Sequence, residues 1–231
     1  MFAITWKELQ KNIFVIVTFA IITIGASLVY NNYLPGIFDD DQELEMLATN
    51  FSMMLGIFVN MIIFSGLMSC EKEEEQSNGY SFLRNLPIDS WQIVVGKFLA
   101  GFLYAIYAIS LVAIVSTVFG VKLESDLLPV SYSFFSGGLA LVLLGILYTF
   151  AFRIRYSKLL PIIMIVYILS MMAPQITHFL LLITERDSTV EQLFSGLTLP
   201  TGASIFAGGV IIFCLIGFFA IKVKEQTPVP R

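Results

Sequence analysis

Residues 71–102, EKEEEQSNGYSFLRNLPIDSWQIVVGKFLAGF, decide how the chain is organised, because they set a charged segment, a short amphipathic segment and a proline stop between two long apolar runs. If Gly79 to Leu86 is helical, Phe82, Leu83 and Leu86 share one face of a short helix that also carries Tyr80 and Arg84. Pro87 ends that helix, since it has no amide hydrogen to donate. Asp89 then caps a second helix. Gln92, three residues on, completes the capping-box spacing, and the new helix runs through Trp91 and Lys97 into the next apolar span.

Around this stretch the chain is strongly apolar. Hydrophobic residues make up 57% and charged residues 13%, with a mean hydropathy of +0.85, which belongs to polytopic membrane proteins. Six runs approach the roughly twenty helical residues that cross a bilayer: 13–30, 47–68, 98–120, 134–152, 159–182 and 203–221. Their apolar character is unbroken, whereas barrel strands alternate and are shorter, so the expectation is an all-α fold of six transmembrane helices. The longest stretch between runs is Ser69 to Lys97, so residues 1–231 read as a single membrane domain.

Lysine and arginine orient the spans. With the N-terminus in the cytoplasm, the inner segments hold Lys7, Lys11, Lys72, Arg84, Lys97, Arg153, Arg155, Lys158, Lys222, Lys224 and Arg231. The outer ones hold Lys122 and Arg186 alone, a bias that predicts both termini cytoplasmic. Acids gather on the outer loops, at Asp39 to Glu45, Glu124 with Asp126, and Glu185 to Glu191, which suits ordinary solvation of short loops and also a rim that attracts cationic solutes leaving the cell. Cys70 and Cys214 read as packing residues, with no disulfide or metal cluster implied. Gly101 with Ala105, Gly137 with Gly138, Ala203 with Ala207, and Gly208 with Gly209 are small pairs that permit close helix approach.

Before the first span, Phe2, Ile4, Trp6 and Leu9 alternate with Lys7, Glu8 and Lys11, a pattern that suits an interfacial helix or simply a polar start. A cleaved signal is disfavoured, because the apolar run from Ile13 exceeds a usual signal core.

The opening stretch resembles the first intracellular loop of permease subunits of type-2 ATP-binding-cassette exporters, the small six-span proteins of bacterial peptide and drug export. The residues that carry the resemblance are the acids Glu71, Glu73, Glu74 and Glu75, then Leu83, Leu86-Pro87-Ile88, Ile93-Val94 and Gly96-Lys97-Phe98. The resemblance implies that Gly79, Tyr80, Phe82, Leu83, Arg84, Leu86 and Pro87 form a coupling helix that docks on a separate cytoplasmic ATPase, with the glutamates flanking it. The run Glu73 to Glu75 also suits a solvated cytoplasmic face. The resemblance further implies an N-terminal elbow helix, two ATPase copies that bind ATP and Mg, a second permease chain that is identical or a sister, and a bacterial plasma membrane. Its substrates would be amphipathic peptides such as phenol-soluble modulins or lantibiotics, or hydrophobic drugs.

The chain holds no phosphate-cradling G-x-x-x-x-G-K-[ST] run, so ATP hydrolysis would fall to a partner. No catalytic residues and no metal ligands are assigned. Paired glutamates of membrane-embedded proteases need an arginine four positions on, where this chain has Gly79. One histidine, His178, cannot build a multi-histidine metal site. The alternative is an ion-coupled carrier or channel without an ATPase. It is weakened because the central parts of the spans hold no Asp, Glu, Lys or Arg.

Soft and polar residues within the spans offer a candidate pathway. Met54, Met61 and Met68 recur every seven residues, with Asn50 and Ser65 four positions from Met54 and Met61. The fifth run has a counterpart in Met164, Met171, Gln175 and His178, with Pro174 placed to loosen the helix. Such stripes suit core packing, and they also suit a deformable apolar path for varied substrates. In the resembled family the second and fifth spans meet at the dimer axis. Asn60 is either a further pathway residue or an interhelical hydrogen-bonding group.

Overall fold

A computed structural model describes residues 2–33, 51, 54–65, 71–72, 89–119, 128–154, 157–166, 168–169 and 198–226. Among the described residues every regular element is a helix: α1 (Phe2–Lys11), α2 (Ile13–Tyr33), α3 (Met54–Ser65), α4 (Ser90–Phe119), α5 (Leu128–Ala151), α6 (Ser157–Val166) and α7 (Leu199–Gln226). By length and composition α4, α5 and α7 can each cross a membrane, and a bent α1–α2 pair taken as one span makes a fourth. The second and fifth predicted runs are represented by the shorter apolar helices α3 and α6.

Helix α4 begins at Ser90, directly after Asp89 as the capping spacing predicts, and so starts eight residues before the predicted edge of the span at Phe98. The Asp89 carbonyl accepts the Gln92 amide at 3.0 Å, and its carboxylate accepts the Trp91 indole N–H at 3.3 Å. That bond to an indole replaces the expected box with Gln92.

A 50° bend separates α1 from α2 at Asn12, and its cause is local. The Asn12 amide bonds the Leu9 carbonyl at 3.2 Å, three residues back rather than four. The Glu8 carbonyl instead accepts the Tyr104 hydroxyl at 2.8 Å and the Asn12 side-chain amide at 3.1 Å. Side-chain groups inserted into the helical ladder bend it.

Packing follows small residues. An added Cβ on Gly209 would lie 2.6 Å from the Gly138 carbonyl oxygen, and one on Gly202 would lie 2.7 Å from that of Ser131. Ser131 and Gly138 on α5 therefore meet Gly202 and Gly209 on α7 in the same order, so these helices run parallel with their backbones nearly touching. Gly137 meets Ile109 and Gly101 meets Leu144, which makes α4 antiparallel to α5. Gly208 faces open space and Ala207 is exposed, so that part of the expected small-residue contact is absent, and Gly202 takes its place. The aromatic centre is Phe98, whose ring stacks on Phe213 at 4.6 Å and tilts against Tyr148 at 5.7 Å.

Helices α1 and α2 lie along α4 in matching order. The Thr5 hydroxyl donates to the Gly96 carbonyl at 3.1 Å, and the Tyr107 hydroxyl donates to the Ile16 carbonyl at 3.2 Å. Helix α3 joins through the Ser136 hydroxyl, which donates to the Gly56 carbonyl at 2.7 Å, and through Phe58 against Phe19. Cys214 is exposed on α7, which corrects its reading as a packing residue; Cys70 lies outside the described residues.

Candidate functional site

The site forms where three parts of the chain converge on Lys97. The run IVVGKFLAGF, apolar but for this one cation, carries it in α4, and its side chain is wholly buried. Removing an ammonium group from water is costly unless a carboxylate meets it. Glu71, also buried, accepts a hydrogen bond from the Lys97 ammonium and forms an ion pair with it. A second carboxylate, that of Glu8 on α1, stands 4.0 Å from the ammonium, and the ring of Tyr148 lies 6.0 Å from it.

Helix α1 is held against this centre by its polar stripe. Thr5, Glu8 and Asn12 are buried together with Ile4, while Trp6 and Gln10 on the other side are exposed. The Asn12 amide also donates to the Tyr104 hydroxyl at 2.9 Å, so Glu8, Asn12 and Tyr104 form one buried network beside the charges. A low-dielectric surrounding strengthens each such bond and penalises the loss of any partner.

The arrangement is a clasp. Glu71 follows the second apolar run and Lys97 lies in α4, so their pairing closes the base of the segment that contains the expected coupling helix. Gly79, Tyr80, Phe82, Leu83, Arg84, Leu86 and Pro87, and the flanking Glu73, Glu74 and Glu75, lie outside the described residues. Glu71 itself is buried, and the adjacent Lys72 is exposed.

The candidate pathway residues are placed as follows. Met54 is exposed, Met61 and Ser65 are half-buried, and all three fall on the side of α3 opposite the core residues Leu55, Val59, Ile62 and Ile63. The Ser65 hydroxyl donates to the Ile62 carbonyl at 2.8 Å within its own helix. Met164 is exposed on α6, away from the buried Leu159 and Ile163. These methionines therefore leave the packed core of this single chain. Asn60 is buried, and its Oδ1 meets no donor among the described residues. Asn50, Met68, Met171, Gln175 and His178 lie outside the described residues. Among the described residues no three His, Cys, Asp or Glu side chains converge as metal ligands would.

The reading of the sequence missed Glu8, Asn12 and Tyr104. The signal was present: Thr5, Glu8 and Asn12 recur at helical spacing on the face that carries Ile4, and a lone lysine in an apolar run calls for a carboxylate.

A family model described as ABC-2 family transporter protein matches residues 2–225. No curated protein and no solved structure matches the chain. The match takes in α1 and α7, the opening and closing helices, as well as the clasp between them. A chain whose described elements are all helices, several of them long and apolar enough to cross a membrane, and which the family model matches over nearly its whole length, is a membrane protein of the ABC-2 transporter family, whose permeases generally pair with an ABC ATPase subunit.

Proposed function

We propose that this chain is the six-span permease half of an exporter that moves amphipathic peptides or hydrophobic antimicrobials out of a bacterial cell. Two such chains, identical or sister, would enclose a pathway between them. Two copies of a separate ATPase, holding ATP and Mg, would supply the energy.

The number of spans is supported by helix direction. Parallel α2 and α4 require a return crossing between them, for which the 47–68 run is available, and parallel α5 and α7 require another, for which 159–182 is available. Adding these to α2, α4, α5 and α7 makes six. The positive-inside bias supports a cytoplasmic side for both termini, α1 and the clasp, with α1 as the interfacial elbow.

The observation that carries the mechanism is the buried Lys97–Glu71 pair with Glu8 beside it. A coupling helix between Gly79 and Pro87 can move the spans only if its two ends are fixed to them. The clasp joins both ends to each other and to α1, so a push from the closing ATPases would tilt the second and third spans as one body. Repeated opening to alternate sides would follow. The outward-turned Met54, Met61 and Met164 supply soft surface for the route between chains.

The test is purification in mild detergent after co-expression with the neighbouring genes. A two-plus-two complex whose ATP hydrolysis rises with an added amphipathic peptide is the expected result. A chain that purifies without any ATPase overturns the reading and brings forward an ion-coupled carrier.

A further inference from the structure

Between α4 and α7 runs an apolar groove of about 260 Å³, walled by Val94, Phe98 and Phe102 on one side and Val210, Cys214 and Ile221 on the other. It is bordered by an open helix: only 17% of the apolar window of α7 is buried, against 50% for α4. Phe98 on its wall is held by stacking on Phe213 and by a tilted contact with Tyr148.

Its length is informative. From Val210 to Ile221 a helix rises about 17 Å at about 1.5 Å per residue, close to half of a hydrocarbon core about 30 Å thick. Both walls continue past it, α4 to Phe119 and α7 back to Leu199. A helix from another chain would call for a seam across the whole bilayer, whereas the acyl chain of one leaflet ends at the midplane.

The groove's near end carries groups suited to a headgroup. Trp91 stands in one helical row with Val95, Phe98 and Phe102, is part exposed, and has its indole N–H turned to Asp89, as befits a ring at the polar boundary. From α7, Lys222 is exposed just past Ile221, and Lys224 lies over the Phe152 ring at 4.9 Å. Asp89 and Glu225 are exposed at the same end, so this rim offers both signs of charge.

We infer that the groove binds one acyl chain of a phospholipid from the leaflet on the Trp91 side, with a headgroup carrying both phosphate and amine held at Trp91 and Lys222. Such a lipid would fill the space between α4 and α7. The inference needs neither ATP nor a partner, so its failure and that of the exporter reading are separately visible.

Trp6 and Trp91 are the two tryptophans, so W6F leaves Trp91 as the sole reporter. Its fluorescence is read in detergent during titration with a phosphatidylethanolamine brominated on one acyl chain, since bromine quenches tryptophan on contact. The expected result is quenching that saturates at about one lipid per chain, is retained in C214S, and weakens at least tenfold in C214F, where the ring fills the groove. Quenching that does not saturate and is unchanged by C214F would mean only non-specific surrounding lipid and overturns the proposal. Oxidative cross-linking of Cys214 to Cys214 between two copies, with quenching lost as it forms, would show that a second copy covers the groove and overturns it equally.

Discussion

Lys97 and Glu71, twenty-six residues apart, meet as a buried ion pair that closes the segment containing the expected coupling helix. The pair is costly to half-remove, because the partner left behind keeps its charge away from water.

Replacing either partner alone, as K97M or E71Q, is therefore expected to destabilise the chain by about 3–5 kcal/mol. The double exchange K97E/E71K should recover part of this loss. Thermal unfolding in detergent measures both, and equal stability of the single variants and the parent would contradict a buried clasp.

Tyr104 offers a milder cut. In Y104F the Glu8 carbonyl and the Asn12 amide each lose a hydrogen bond while the aromatic ring stays, for a cost of about 1 kcal/mol per bond. Because those bonds sit at the α1–α2 bend, hydrogen exchange should rise in α1 while the amides of α5 keep their protection. A uniform increase across the bundle would mean that Tyr104 acts on global stability instead.

Two adjacent glycines on α7 make a controlled comparison. G209A drives a Cβ to 2.6 Å from the Gly138 carbonyl oxygen, while a Cβ on Gly208 meets nothing within 4 Å. Overpacking of this kind costs about 1–3 kcal/mol, so G209A should lower the unfolding temperature and G208A should leave it within error. If the two behaved alike, the parallel α5–α7 contact would be wrong.

The coupling segment can be tested by a charge placed on its apolar face. L83D/L86D is expected to abolish ATPase recruitment while membrane insertion and thermal stability stay near those of the parent. ATPase that still co-purifies with the doubly substituted chain would place the docking surface elsewhere.

Taken by itself, the sequence determined the membrane class, the apolar runs and the start of α4 after Asp89, though not the indole bond that Asp89 makes there, because hydrophobic length and helix-start signals act over a few neighbouring residues. It also marked Glu71 and Lys97 through their family spacing, but as a flanking acid and a cytoplasmic cation rather than as partners. Only the tertiary structure decided that both are buried, that Glu8 stands beside them from α1, and that Gly202 rather than Gly208 meets a neighbour. Periodicity says which residues share a face of a helix, but not which other helix that face meets. For Thr5 and Gly96, ninety-one residues apart, and for Lys97 and its carboxylates, the choice of partner depends on how whole helices pack.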